Sequence, residues 1–273
     1  MNKNFVEDLK DWFVSYVQPF KSGNADQQQN IILKEEHTKR VCKEILDIGK
    51  ELGLTDKDLC LAEIIALLHD IGRFEQYARY QTFADRDSVD HAAFGVKILQ
   101  ENGVLNKLDK PMQSLILRTI SYHNRRALPQ QESATCLFFS KLLRDADKLD
   151  IWRVVTDYYY QKDEKRNNVI ELGLPDTPEI SCDVYKDLMD GRIVDVTHLK
   201  NLNDFKLLQI GWIYDVNFTP TFQRVRDRRY LEMIRDVLPK SNKIEEIFSV
   251  IQSYLDDKIQ NKQEKTSFKI LSN

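Results

Sequence analysis

Cysteine is scarce and scattered: Cys42, Cys60, Cys136 and Cys182 form no CxxC pair. The chain therefore lacks the ligand spacing of a structural zinc site and any disulfide framework, which favours a reducing compartment. Neither sign of charge prevails. Lys and Arg number 40 against 43 Asp and Glu, a formal net charge of -3 with no long single-sign block, which leaves no electrostatic footprint for a nucleic-acid duplex or an anionic membrane. Long apolar runs are missing too, since none approaches the ~20 residues of a membrane span. The opening MNKNFVEDLKDW carries Glu7 and Asp8 where a signal peptide needs an apolar stretch. A cytoplasmic protein is expected, meeting its partners at a discrete site. Alternating strand patterns are scarce throughout, which leaves helices as the expected currency of the fold.

What the chain does have is 42% hydrophobic residues in a length of 273, enough for one large domain or two smaller ones. Phe5, Leu9, Trp12, Phe13, Tyr16 and Val17 make an apolar stripe at helical spacing, closed by Pro19 and a polar linker at 22–30. A second helix is expected from about Ile31 to Leu52, stopping at Gly53. Thr55 and Asp58 form a capping box for a third that reaches His69. Ser88 can cap a helix to Gly103, Asp109 and Pro111 open one ending near His123, and a further one runs from about Glu132 through Trp152. Turn formers and charges then mark a boundary near 160–180. Beyond it, helices are expected at about 181–190, 202–216, 221–236 and 243–259, with 191–199 either a short strand or an extended loop.

The informative scarcity is histidine, of which there are five. Leu33, His37, Val41 and Ile45 are spaced by four, and Ile116, Ile120 and His123 repeat the pattern, so both histidines face inward. His91 stacks with Gly95 and Ile98. His69 and Asp70 terminate the apolar run from Leu61 to Leu68, and Cys136, Phe139, Leu143 and Asp147 send a second carboxylate into an apolar face. An unpaired buried carboxylate costs several kcal/mol. Any one inward histidine is ordinarily a satisfied core residue, but one metal site accounts for all of these groups together.

In order, His37, the doublet His69-Asp70, His91, His123 and Asp147 resemble the HD-domain metal-dependent phosphohydrolases, as do their surroundings LLHDIGR, DHAAFGVKIL, ISYHN and RDADKLD. The resemblance covers about residues 31–153. It implies an all-α HD-domain helical bundle with an additional C-terminal helical region. The expected layout is an N-terminal helix and linker over 1–30, a catalytic core over 31–160, and an extension over 161–273 packed on that core, with a polar tail from about 260. It further implies that His37, His69, Asp70 and Asp147 bind one metal, and that His91 and His123 mark the dinuclear branch, with Asp70 bridging to a second ion. Two divalent ions are expected, Mn, Fe, Co or Zn rather than Mg, with a bridging hydroxide attacking phosphorus.

Arg73 and Lys148 are the favoured cations for substrate phosphate by their closeness to Asp70 and Asp147. Arg40, Arg125 and Arg126 follow behind, and the polar, aromatic segment 74–90 is a candidate pocket mouth. His198, the 224–230 run RVRDRRY, the Trp212, Tyr214 and Phe218 group and the Tyr158 to Tyr160 run are expected to be structural. The expected activity is hydrolysis of a small phosphoester, a nucleotide or phosphodiester, by a chain that could form a homo-oligomer through its C-terminal helices. The alternatives are a di-iron oxygenase, resembling the myo-inositol oxygenase group, and a non-catalytic nucleotide-binding regulator.

Overall fold

The structure, a computed structural model, describes residues 3–161, 167 and 170–260. Among these residues the fold is all-α, with no strand. Contacts divide the chain into two compact units, 1–147 and 148–273, the line falling within one long helix.

The first unit contains α1 (Lys3–Val17), α2 (Ala25–Glu51), α3 (Asp56–Leu68), α4 (Ile71–Tyr80), α5 (His91–Glu101) and α6 (Lys110–Tyr122). It also holds the first half of α7 (Ala134–Tyr160). Three starts differ from the sequence expectation. The polar stretch read as a linker is mostly the first turns of α2, because Asn24 accepts from Gln27 N at 2.9 Å while Gln27 Oε1 accepts from Asn24 N at 3.2 Å, a reciprocal cap. Asp90, not Ser88, caps α5 by accepting from Ala92 N and Ala93 N. Glu132 lies outside α7 and receives Arg118 Nη1 and the Tyr122 hydroxyl instead.

Part of the expected pocket-mouth segment is a helix. Ile71, Phe74 and Tyr77 of α4 are buried at i, i+3, i+6, while Glu75 and Arg79 pair one turn apart on its outer side. Its first turn touches α5 at backbone distance. A Cβ added to Gly72 would stand 2.2 Å from the His91 carbonyl oxygen and 2.8 Å from Gly95 N, and Gly95 returns the close approach. Two glycines thus let His91 come up against the start of α4, directly after Asp70.

The second unit carries the rest of α7 with α8 (Cys182–Met189), α9 (Leu202–Gly211), α10 (Thr219–Asp227), α11 (Tyr230–Asp236) and α12 (Asn242–Gln260). The helix expected over 221–236 is broken at Arg229, whose φ of 55° lies in the left-handed region, and that expected over 202–216 ends in a 3-10 turn, Trp212–Asp215. Residues 191–199 hold a 3-10 turn at Val196–His198. The buried Asp187 carboxylate gathers this loop, accepting from Arg192 Nη2, Asp195 N and His198 Nδ1. His198 is thereby a loop-holding residue. Trp152 is fully buried, donates to Gln209 O at 2.9 Å and lies against the Trp212 and Tyr230 rings. The thiols are all free, with Cys42, Cys60 and Cys136 buried and Cys182 exposed.

Gly72→Ala is expected to destabilise the protein by about 1–3 kcal/mol, because the added methyl meets backbone rather than a side chain that can turn aside. A lowered urea midpoint at unchanged slope is the result to look for. A midpoint equal to wild type would show that α4 and α5 can separate freely.

Candidate metal centre

Each inward histidine is presented by a different element, and three are fixed in the same way. His69 closes α3 with Nδ1 2.7 Å from Ala66 O, and His123 closes α6 with Nδ1 2.7 Å from Ile120 O. His91 opens α5 with Nδ1 2.6 Å from Asp85 Oδ2. Carbonyl and carboxylate oxygens only accept, so each Nδ1 carries the proton and each Nε2 offers a lone pair. His37, on the buried face of α2, is the fourth.

These Nε2 atoms and two carboxylates meet around Asp70, which is only 3% exposed. Its Oδ2 lies 3.6 Å from His37 Nε2 and 3.8 Å from His69 Nε2, while its Oδ1 lies 3.3 Å from His91 Nε2 and 3.6 Å from His123 Nε2. Asp147, presented by α7, places Oδ1 3.1 Å from His37 Nε2 and 3.7 Å from His69 Nε2. The six residues singled out in the sequence are thus brought together, with the two oxygens of Asp70 turned toward different histidine pairs.

The donor set fits a cation. His69 Nε2 is buried without a hydrogen-bond partner. His91 Nε2 and His123 Nε2 stand 2.9 Å apart, and with both Nδ1 atoms protonated this sets two lone pairs face to face. Such a contact is repulsive unless a positive charge lies beside it. Two groups, His37 with His69 and Asp70, and Asp70 with His91 and His123, have ligand atoms within 4.8 Å of one another, a nitrogen and oxygen set suited to transition metals. A third, Asp85 with Asp90 and His91, is occupied otherwise: Asp90 caps α5, and Asp85 accepts from Arg73, Gln76 and Asn124.

The charges match this picture. Burial pushes the Asp70 carboxyl up, but Lys34 and the histidines outweigh it and leave it well below the usual range. Burial likewise opposes ionisation of Asp147, and His37 and His69 overcome it. Asp85 is held low against burial by His91, Arg73 and Gln76. Burial lowers His123 to about 4, with the Asp70 hydrogen bond working the other way.

The expected phosphate cations are already engaged. Arg73 Nη1 donates to Phe83 O, Asp85 Oδ1 and Gln76 Oε1, and its Nε is 3.6 Å from Asp70 Oδ1. Lys148 pairs with Asp215 Oδ2 at 2.5 Å. Arg125 lies over the Tyr122 ring, Arg40 is half-buried and Arg126 is exposed. Two residues at the centre were not singled out beforehand. Lys34 reaches Asp70 Oδ2 at 2.9 Å, and its place one turn before His37 was the available signal. Asp85 opens a short 3-10 turn, Asp85–Asp87, inside the segment expected as a pocket mouth, where no helical periodicity marks it out.

Residues 35–152 match the family model of the HD domain. The chain contains an HD domain. No curated protein and no solved structure gives a significant match. HD domains bind divalent metals and are generally metal-dependent hydrolases, which agrees with the His and Asp cluster that this HD domain assembles.

Metal-free protein is expected to lose stability as pH falls from about 6.5 to about 4. In that window the unfolded chain takes up a proton that buried His123 refuses. Asp70 and Asp147, held low in the fold, extend the loss below pH 3.8. In chelator-treated protein the His123 imidazole NMR signal should still be at its neutral position at about pH 5.5, more than a unit above its lowered pKa. A signal titrating at the ordinary histidine value would refute the assignment.

Proposed function

We propose that the HD domain is a phosphohydrolase with a two-ion site that acts on a small phosphoester, a nucleotide or phosphodiester. The observation that carries this reading is the division of Asp70: one oxygen addresses His37 and His69, the other His91 and His123. In it, His37, His69, Asp70 and Asp147 would hold one ion, and Asp70, His91 and His123 would hold the second. Several imidazoles suit Mn, Fe, Co or Zn better than Mg. Divalent ions bound there supply Lewis acidity toward phosphoryl oxygens and pull the pKa of a water toward neutrality.

The chain's own groups do the positioning. Ala66 O, Ile120 O and Asp85 keep three imidazoles in one tautomer and aim their Nε2 atoms. Arg73 ties Asp85 to the start of α4, so it acts on His91 through that carboxylate and adds positive field beside Asp70. Lys148 remains a candidate phosphate contact by its adjacency to Asp147 in sequence.

The test is product release across mononucleotides, dinucleotides, cyclic nucleotides and sugar phosphates with added Mn, Co, Fe or Mg. Asp70→Ala is expected to abolish turnover and lower bound metal while leaving far-UV helical signal nearly unchanged. Wild-type metal content in that variant would sink the bridging assignment. No product from any substrate, with metal bound and dioxygen consumed, would replace hydrolysis by a di-iron oxygenase reaction. Nucleotide-induced stabilisation with neither product nor dioxygen consumption would point to a non-catalytic regulator.

A further inference from the structure

Lys34 lies on α2 one turn before His37, with Nζ 2.9 Å from Asp70 Oδ2. The same ammonium sits 5.4 Å from the centre of the Phe83 ring, and its side chain is only 18% exposed. Asp70 is the carboxylate it pairs with among the described residues. Yet Oδ2 is also the oxygen turned toward His37 and His69, so an ammonium and a divalent ion address one atom. The ion has twice the charge and additional imidazole ligands, and takes the larger share of that oxygen's charge. Lys34 is then left in a mostly enclosed place without its counter-charge, which is unfavourable until an anion arrives. Arg73 is poorly placed to take that anion instead, because its Nη1 is held by Asp85, Gln76 and the Phe83 carbonyl.

We propose that Lys34 is a substrate-binding residue of this site and receives a terminal, dianionic phosphoryl group, an inference that rests on the two-ion phosphohydrolase reading. The preference for a dianion follows from formal charge. Asp70 and Asp147 leave two divalent ions with a double positive excess, Lys34 adds a third positive charge, and Arg73 and Asp85 cancel one another. A dianionic terminal phosphoryl group offsets more of that excess than the single charge of a diester. Lysine also suits the task mechanically. Its compact charge on a flexible stem can turn from Asp70 Oδ2 to a neighbouring phosphoryl oxygen without moving α2, and the attraction of the Phe83 face does not depend on Asp70.

The experiment compares wild type, Lys34→Gln and Lys34→Arg after loading with Mn. It reads bound metal by elemental analysis, and calorimetric binding of orthophosphate, at a pH where it is dianionic, against dimethyl phosphate, a monoanion. All three proteins are expected to carry the same metal. Lys34→Gln should bind orthophosphate about tenfold or more weakly, as expected for loss of one charge-assisted hydrogen bond. Dimethyl phosphate should weaken less, and Lys34→Arg should stay within a few-fold of wild type. Undiminished orthophosphate binding by metal-loaded Lys34→Gln overturns the Lys34 proposal alone. So does an equal loss in Lys34→Arg, which would show that charge is not what matters, and so does metal loss in Lys34→Gln, which would make Lys34 a support of Asp70. Wild-type protein that takes up no metal, or binds no orthophosphate when loaded, removes the phosphohydrolase reading and this proposal with it.

Discussion

The carboxylate of Asp70 is ionised in a place water scarcely reaches, and the surroundings of the site follow from that constraint. A buried, unpaired carboxylate would protonate or destabilise the fold by several kcal/mol. Here it is kept charged by Lys34 on one oxygen and by Arg73 near the other. Its backbone lies between the end of α3 and the start of α4, so the placement of both helices is tied to this charge. The close glycine contact between α4 and α5 belongs to the same constraint, because it allows the His91 ring to reach Asp70 Oδ1.

The imidazoles are held by a second constraint, the direction of their lone pairs. A histidine at the end of a helix can give its Nδ1 proton to a carbonyl one turn back, as His69 and His123 both do. This satisfies a terminal carbonyl of the helix and fixes the tautomer in one contact. His91 stands at a helix start, where no preceding turn offers a carbonyl, and Asp85 fills that role. Asp85 in turn needs donors, and Arg73, Gln76 and Asn124 supply them. The 82–90 segment therefore serves the site as a scaffold for one histidine.

Much of this was legible in sequence because helical spacing reports which side of a helix is buried. His37, His123 and Asp147 stand out as polar groups on apolar stripes, and His69 with Asp70 as the polar end of an apolar run. The resemblance over about residues 31–153 lies close to the matched 35–152. Illegible were features that depend on contacts distant in sequence. Asp85 lies in a single 3-10 turn, and its value comes from His91, Arg73 and Asn124 meeting there. α4 was hidden because Glu75 and Arg79 on its outer side and the buried polar Gln76 break its apolar stripe into a run of mixed polarity. The first turns of α2 were hidden because QQQN is polar on every side, and its helicity begins with a reciprocal cap between Asn24 and Gln27.

The two cations beside Asp70 are held in different ways. Arg73 follows Asp70 by one helical turn, but the planar fork of a guanidinium is suited to several fixed acceptors, and it finds them in Asp85, Gln76 and the Phe83 carbonyl. Turning it toward a ligand would break bonds that orient His91. Lys34 comes from a different helix, and among the described residues its ammonium is drawn to one carboxylate oxygen and the face of Phe83. Exchanging that oxygen for a phosphoryl oxygen leaves the histidine supports intact. A group that must both neutralise Asp70 and greet an incoming anion has to be the one whose movement costs least, and by that criterion lysine, not arginine, belongs at Oδ2.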